Sequence, residues 1–267
     1  MKKIIKFSLL LLRYFPSIAH YYFFYLLRYS KNPKKYPIEE RYFRIRKLAL
    51  KVCKGFKIEL DVENKEYLLN RNSRTILVSD HISVLDIVML IALSPTPVSF
   101  VAKSSVKHLI LIGKVLTSID GFFLDRNDPR DAIRIFRSAT ENMKNEPISY
   151  TIYPEGTRNK YPLTKPMLDF HPGSFKLAYK AEADILVFAE FGTQRILSNS
   201  MDRSNLIQMK FFPPIKYEDI KDKNTTEIAS IAHEMVSKEV ELMKEKYISY
   251  FASKKHKHKP VHGFKVD

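Results

Sequence analysis

Three short polar clusters carry the residue types that chemistry needs: Asp80-His81-Ile82-Ser83-Val84-Leu85-Asp86, Gly121-Phe122-Phe123-Leu124-Asp125-Arg126 and Tyr153-Pro154-Glu155-Gly156-Thr157-Arg158. An imidazole titrates near neutral pH, so His81 can take a proton from a hydroxyl when a carboxylate holds its other nitrogen. Asp86 and the adjacent Asp80 both lie within reach along the chain, and spacing alone does not rank them. Were His81 and Asp86 in one regular helix, five residues at about 100° each would leave them roughly 140° apart. The pair works only if His81 sits in a turn and Asp86 in the opening turns of the helix that follows. Taken alone, a histidine five residues before an aspartate is more often an ordinary surface or core residue.

The third cluster is more specific. Gly156 lets the backbone approach a ligand closely, and Arg158 offers a planar, permanently charged fork suited to phosphate oxygens. Arg126 supplies a second fork and Lys103 a point charge. Two arginines at such positions favour an oxyanion over structural salt bridges. Rival constellations are missing: the sequence has no Gly-x-Ser-x-Gly elbow and no glycine-rich phosphate or dinucleotide loop. His233-Glu234 has no second histidine at zinc spacing, and Cys53 is the single cysteine, so neither a disulfide nor a paired-cysteine zinc site is expected. No metal and no cofactor are called for.

The elements that must hold these clusters alternate between short strand-like and helical runs from residue 58 onward. Strands are predicted over 58–62, 75–79, 98–102, 121–124, 148–153 and 185–191, and an edge strand over 207–212 before Pro213-Pro214. Helices are predicted over 83–93, 105–117, 129–144 (capped by Asp128) and 174–182, and a long one starts at an Asn224–Glu227 capping box. This alternation implies an α/β fold, a largely parallel mixed sheet with helices on both faces. No internal repeat is visible. Each cluster then falls just after a strand, and ligands of open α/β sheets gather at the carboxyl ends of strands, so distant clusters can converge.

Charge divides the chain. The net charge is +16, yet residues 1–57 hold fifteen Lys or Arg against Glu39 and Glu40 alone, and residues 58–252 are nearly balanced. A nucleic-acid reader spreads its basic residues over the folded domain, whereas here they flank apolar, aromatic sequence, the composition of a segment lying on an anionic phospholipid membrane. Nucleic acid is therefore not an expected partner. The uncharged run Tyr14–Leu27 spans fourteen residues; a spanning helix needs about 20. It is rich in Tyr and Phe, which favour the headgroup boundary. A second helix is predicted from Pro37, with Glu39 and Glu40 in its first turn, Ile38, Tyr42, Ile45, Ala49 and Val52 on one face and Arg41, Arg44, Lys47 and Lys51 between them. Residues 1–57 are read as a helical, monotopic membrane anchor, 58–252 as the α/β domain and 253–267 as a basic, disordered tail. The competing reading has the second helix packing on the core. Lys2 and Lys3 ahead of an apolar run resemble a signal peptide, but Arg13 and Pro16 interrupt that run early. A peripheral or monotopic position on the cytoplasmic face of the membrane follows.

Over residues 37–215 the chain resembles the glycerolipid acyltransferases typified by bacterial 1-acyl-sn-glycerol-3-phosphate acyltransferase. The resemblance rests on the His-four-residues-Asp block of His81 and Asp86, the Gly-x-x-x-Asp-Arg block of Gly121, Asp125 and Arg126, the Pro154-Glu155-Gly156-Thr157-Arg158 block, and the Val-Ala-Lys strand ending at Lys103. It implies a base at His81 supported by Asp86, phosphate binding by Arg126 and Arg158, and acceptor positioning by Glu155 and Gly156, with Lys103, Gly121 and Thr157 in the same substrate-binding set. The implied reaction moves an acyl chain from a coenzyme A or acyl carrier protein thioester to the free hydroxyl of lysophosphatidic acid, forming phosphatidic acid. Asp80 stands where the family often has Asn, Tyr153 where it often has Phe, and Ile185–Ala189 lacks the proline of the family's last block. Glycerol 3-phosphate or another lysolipid is the alternative acceptor. A non-catalytic protein that binds anionic membranes would explain the charge equally well, but it leaves His81, Asp86 and Glu155 without a role.

Overall fold

A computed structural model describes residues 16–196 and 205–252. Their strands form one sheet: β1 (Ile58–Glu63), β2 (Thr75–Val78), β3 (Val98–Lys103), β4 (Phe122–Leu124), β5 (Ser149–Ile152), β6 (Asp184–Phe191) and β7 (Asn205–Phe211). The spatial order is β1-β7-β6-β2-β5-β3-β4. From β6 to β4 all pairings are parallel. β7 runs antiparallel to β6, and β1 runs parallel to β7. Every residue of β2 and β5 is buried, as expected of central parallel strands covered on both faces.

The edge strand predicted over 207–212 is instead internal, between β1 and β6. Pro213 and Pro214 suggested an edge because proline breaks a ladder. Here they interrupt the pairing with β6 only briefly: Phe212 N–H still donates to the Val187 carbonyl at 3.0 Å, and beyond the prolines Ile215 and Ile185 exchange both bonds at 2.9 Å.

The labelled helices are α1 (Ile38–Gly55), α2 (Asp86–Leu93), α3 (Ile110–Ser118), α4 (Pro129–Asn145), α5 (Lys176–Ala181) and α6 (Thr225–Ala252). They fall into two packs: α1 lies on α2 and α3, while α4 lies on α5 and α6 lies on β6 and β7. Local chemistry fixes the starts of α4 and α6. Asp128 accepts the Arg130 N–H at 2.9 Å ahead of Pro129. Asn224 accepts the N–H groups of Thr226 and Glu227 at 3.0 Å while Glu227 accepts that of Asn224 at 2.9 Å, the reciprocal capping box read from the sequence.

Residues 16–31 are helical, with a π-helical turn over Tyr22–Leu26, and they lie against α3. In α1 the face Ile38, Tyr42, Ile45, Ala49 and Cys53 is buried in the same core as the sheet. The boundary drawn at residue 57 therefore does not separate two cores. Arg41, placed by the sequence between the apolar positions of this helix, is 3% exposed: its guanidinium grips the Asp120 carboxylate at 2.8 and 2.9 Å and the Ser118 carbonyl at 2.7 Å. Its partners lie far along the chain, where a helical-spacing argument does not look. No described helix is long and apolar enough to cross a membrane. The first fifteen residues and the basic tail 253–267 lie outside the described residues.

Candidate active site

The chain leaves β2 into an extended turn before α2 begins at Asp86. That geometry answers the helical objection, because the turn wraps back over the first helical side chain. His81 Nδ1 lies 2.7 Å from Asp86 Oδ2, and the same oxygen accepts the N–H groups of Ile82 at 3.0 Å and Ser83 at 2.9 Å. The other oxygen accepts the Thr193 hydroxyl at 2.5 Å. Asp86 has no exposed surface, whereas 18% of the His81 side chain remains open. With Nδ1–H donating to Asp86, the free lone pair sits on Nε2. The ring lies flat on Tyr153, centroids 4.3 Å apart and planes 17° apart, which fixes its tilt.

Asp80, the rival partner, turns elsewhere. Its Oδ1 accepts the Ser79 hydroxyl at 3.1 Å and the Glu190 N–H at 3.0 Å, tying the ends of β2 and β6 together. Neither oxygen of Glu190, nor Asp80 Oδ2, has a hydrogen-bond partner among the described residues. Burial, reinforced by repulsion from neighbouring carboxyl groups, pushes Asp80 and Glu190 well above the usual carboxylate range. Burial likewise drives the unpartnered Tyr153 hydroxyl well above the ordinary tyrosine value. The dyad thus rests on a bed of groups whose charged forms burial disfavours, and Asp86 is the carboxylate joined to the ring.

Glu155 links the first cluster to the third. Its Oε1 accepts the His81 N–H at 2.6 Å and its Oε2 the Leu168 N–H at 3.2 Å. Burial raises it to about 7, opposed by those two hydrogen bonds. Asn159 N–H donates to the His81 carbonyl at 2.7 Å, so both backbone polar groups of His81 are held by one segment. Gly156 adopts φ +71°, a left-handed conformation that favours glycine. A methyl group there would lie 3.4 Å from Arg126 Nη1 and 3.2 Å from His171 Cδ2, which brings the second cluster to the same turn.

Arg126 follows β4 in a loop that Asp131 steadies by accepting the Asp125 N–H at 2.7 Å. Partial desolvation draws the Arg126 guanidinium below its ordinary value although the side chain stays accessible. No described carboxylate pairs with it. Lys103 sits beside Leu124 at the carboxyl end of β3, and Lys103, Thr157 and Arg158 are exposed with no side-chain partner among the described residues. They share the site's end of the sheet without converging as Arg126 does. Gly121 does not converge with these residues. It lies at the opposite end of β4, where its N–H donates to the Leu116 carbonyl at 2.7 Å and a side chain would collide with that oxygen at 2.9 Å, so its role is packing. Thr193, Asn159, Glu190 and His171 were not found from the sequence.

Behind the dyad an apolar cavity of about 380 Å³ lies among α1, α2 and α3. Val84 and Leu85 of the His81–Asp86 turn line it, with Ile45, Leu48, Val88 and Val115. No group of three or more His, Cys, Asp or Glu suited to a metal ion occurs among the described residues.

The arrangement is a base, an orienting carboxylate and a guanidinium beside the Gly156 turn, all at the carboxyl ends of parallel strands. Residues 59–189 match the family model described as Acyltransferase. An uncharacterized acyltransferase of Schizosaccharomyces pombe is 34% identical over 128 residues, 48% of this chain and 45% of the relative. The 1-acyl-sn-glycerol-3-phosphate acyltransferase of Saccharomyces cerevisiae is 30% identical over 174 residues, covering 64% and 55%. That of Helicobacter pylori is 25% identical over 171 residues, covering 60% and 70%. The chain thus spans about half the length of the first two. The crystal structure of the 1-acyl-sn-glycerophosphate (LPA) acyltransferase PlsC from Thermotoga maritima has the same fold, with TM-score 0.68 and 24% identity, covering 91% of this chain and 98% of that one.

Proposed function

We propose that the chain transfers an acyl group from a coenzyme A or acyl carrier protein thioester to the free hydroxyl of lysophosphatidic acid, forming phosphatidic acid. The observation that carries this reading is the 2.7 Å bond from His81 Nδ1 to the buried Asp86, on the same Glu155–Gly156 turn that Arg126 approaches. His81 Nε2 takes the hydroxyl proton as the alkoxide oxygen attacks the thioester carbonyl. The tetrahedral intermediate collapses, the carbon–sulfur bond breaks, and the proton passes from the imidazolium to the departing thiolate. A positioned base contributes about 10²–10⁴ in rate, because a hydroxyl is a poor nucleophile at neutral pH. Arg126, with Arg158 and Lys103 at the rim, holds the acceptor's phosphate and so orients its hydroxyl. The apolar cavity beside Val84 and Leu85 suits a hydrocarbon chain.

The work is done at the cytoplasmic surface of an anionic phospholipid membrane, with the chain bound peripherally or monotopically. Exposed Phe23, Phe24, Phe43 and Ile110 support this, since they lie on the N-terminal helix and on α1 and α3 against which it packs, amid basic side chains. Replacing Phe23 and Phe24 by Ser should at least halve the fraction of protein that floats with phosphatidylglycerol vesicles; undiminished flotation would put the membrane contact elsewhere.

Chemistry is tested with purified protein and palmitoyl-coenzyme A. Free thiol should appear only when lysophosphatidic acid is added, and His81→Ala should abolish it. Undiminished thiol release by His81→Ala would overturn the mechanism.

A further inference from the structure

We propose that His171 is a second contact for the acceptor's phosphate, forming with Arg126 a cradle over the bare Cα of Gly156. The proposal rests on the acyl-transfer reading and adds a specificity-determining residue to it. A Cβ at Gly156 would meet His171 Nε2 and Arg126 Nη1 at 3.4 Å each, so both nitrogens border a single point that only glycine leaves vacant. Neither side chain has a hydrogen-bond or carboxylate partner among the described residues, and both are accessible. An imidazole and a guanidinium left unpaired beside one gap are donors awaiting an oxyanion.

The acids nearby are already turned away. Both Glu155 oxygens accept backbone N–H groups, those of His81 and Leu168. Asp169 faces His233 at 3.9 Å. His171 is also held in place as a loose surface histidine would not be. Its N–H donates to the Pro154 carbonyl at 3.0 Å, and its carbonyl accepts the Ser174 N–H at 3.0 Å. Phe170 and Phe175 on either side are buried, their ring centroids 6.5 Å apart. The Pro154-Glu155-Gly156 turn that binds the base's backbone therefore also carries the imidazole, and phosphate and reacting hydroxyl are held from one rigid piece.

The test compares two acceptors, lysophosphatidic acid and the phosphate-free 1-acylglycerol, in wild type, His171→Ala, His171→Lys and Arg126→Ala. In His171→Ala the ratio of kcat/KM for the two acceptors should fall about tenfold, the scale of one hydrogen bond to a charged group. The fall should come mainly from KM for lysophosphatidic acid, and His171→Lys should restore it. Inhibition by glycerol 3-phosphate, a probe that carries the phosphate without the acyl chain, should weaken by a similar factor in His171→Ala. Equal losses on both acceptors, or no change in either, would overturn the proposal. If Arg126→Ala lowers the ratio and His171→Ala does not, only the role of His171 fails; if neither lowers it, the phosphate reading itself fails.

Discussion

On the His81 side of the cleft, the Asp86 carboxylate accepts four hydrogen bonds and has no exposed surface, whereas the Arg126 side ends in cations that meet no described acid. Arg41 shows that an unpaired arginine is not the rule in this molecule, since its charge is answered by Asp120. The contrast teaches a division of labour. Groups that must be oriented at the moment of proton transfer are fixed by folding, so no reorganisation remains for the reaction. Groups that recognise the acceptor are left open, because a pre-paired cation would have to exchange its partner for the phosphate.

Three substitutions probe this division. The largest effect belongs to the wired side: Asp86→Asn should lower kcat about 10³-fold, because an amide cannot accept on both atoms and the ring loses its tautomer. Asp80→Asn, at a carboxyl whose charged form burial disfavours and which makes no bond to the ring, should move kcat less than threefold. Comparable losses in both would erase the distinction drawn between the two aspartates. On the open side, Arg126→Ala should raise KM for lysophosphatidic acid by roughly ten- to a hundredfold with a much smaller change in kcat, reflecting a loss of about 1.5–3 kcal/mol of charged hydrogen bonding. A fall confined to kcat would move Arg126 to the chemistry.

A fourth substitution, at Glu190, acts on stability rather than turnover. Its folded pKa lies above its unfolded value, so the native state holds a proton that the unfolded chain gives up as pH rises past about 4.5. Stability is therefore lost on raising the pH, until the folded group ionises too. Glu190→Gln removes that loss, and should stabilise the protein at pH 8 by about 1–2 kcal/mol more than at pH 4, on the scale of one buried unpaired group. Thermal melts at both pH values measure this; a benefit larger at pH 4 would contradict the assignment.

The sequence made the dyad legible because residue type and context agreed: a histidine and an aspartate between a buried strand and an apolar helix. It made the sheet legible because short apolar strands alternate with helical runs, one of them started by the Asp128 cap. It misled about α1, since a basic helix with one apolar stripe has the same pattern whether lipid or protein covers the stripe. Gly121 was read with a ligand motif, yet its smallness answers a contact with Leu116. Thr193 and His171 reach the site from distant segments and carry no local signal. Glu190 did carry one: a lone acid inside the buried run of β6 contradicts its neighbours, and such a conflict marks a special site.

The bonds from Glu155 to the His81 N–H and from Asn159 to its carbonyl act as two pins in a hinge plate. The chain between them admits neither insertion nor deletion without prising the base from its seat. Beyond Asn159, the stretch 160–167 has no such duty and is exposed along most of its length. A library that spares Tyr161 and Pro166, whose N–H and carbonyl hold the Asn159 side chain at 3.0 and 2.9 Å, would vary this surface without loosening the pin on His81.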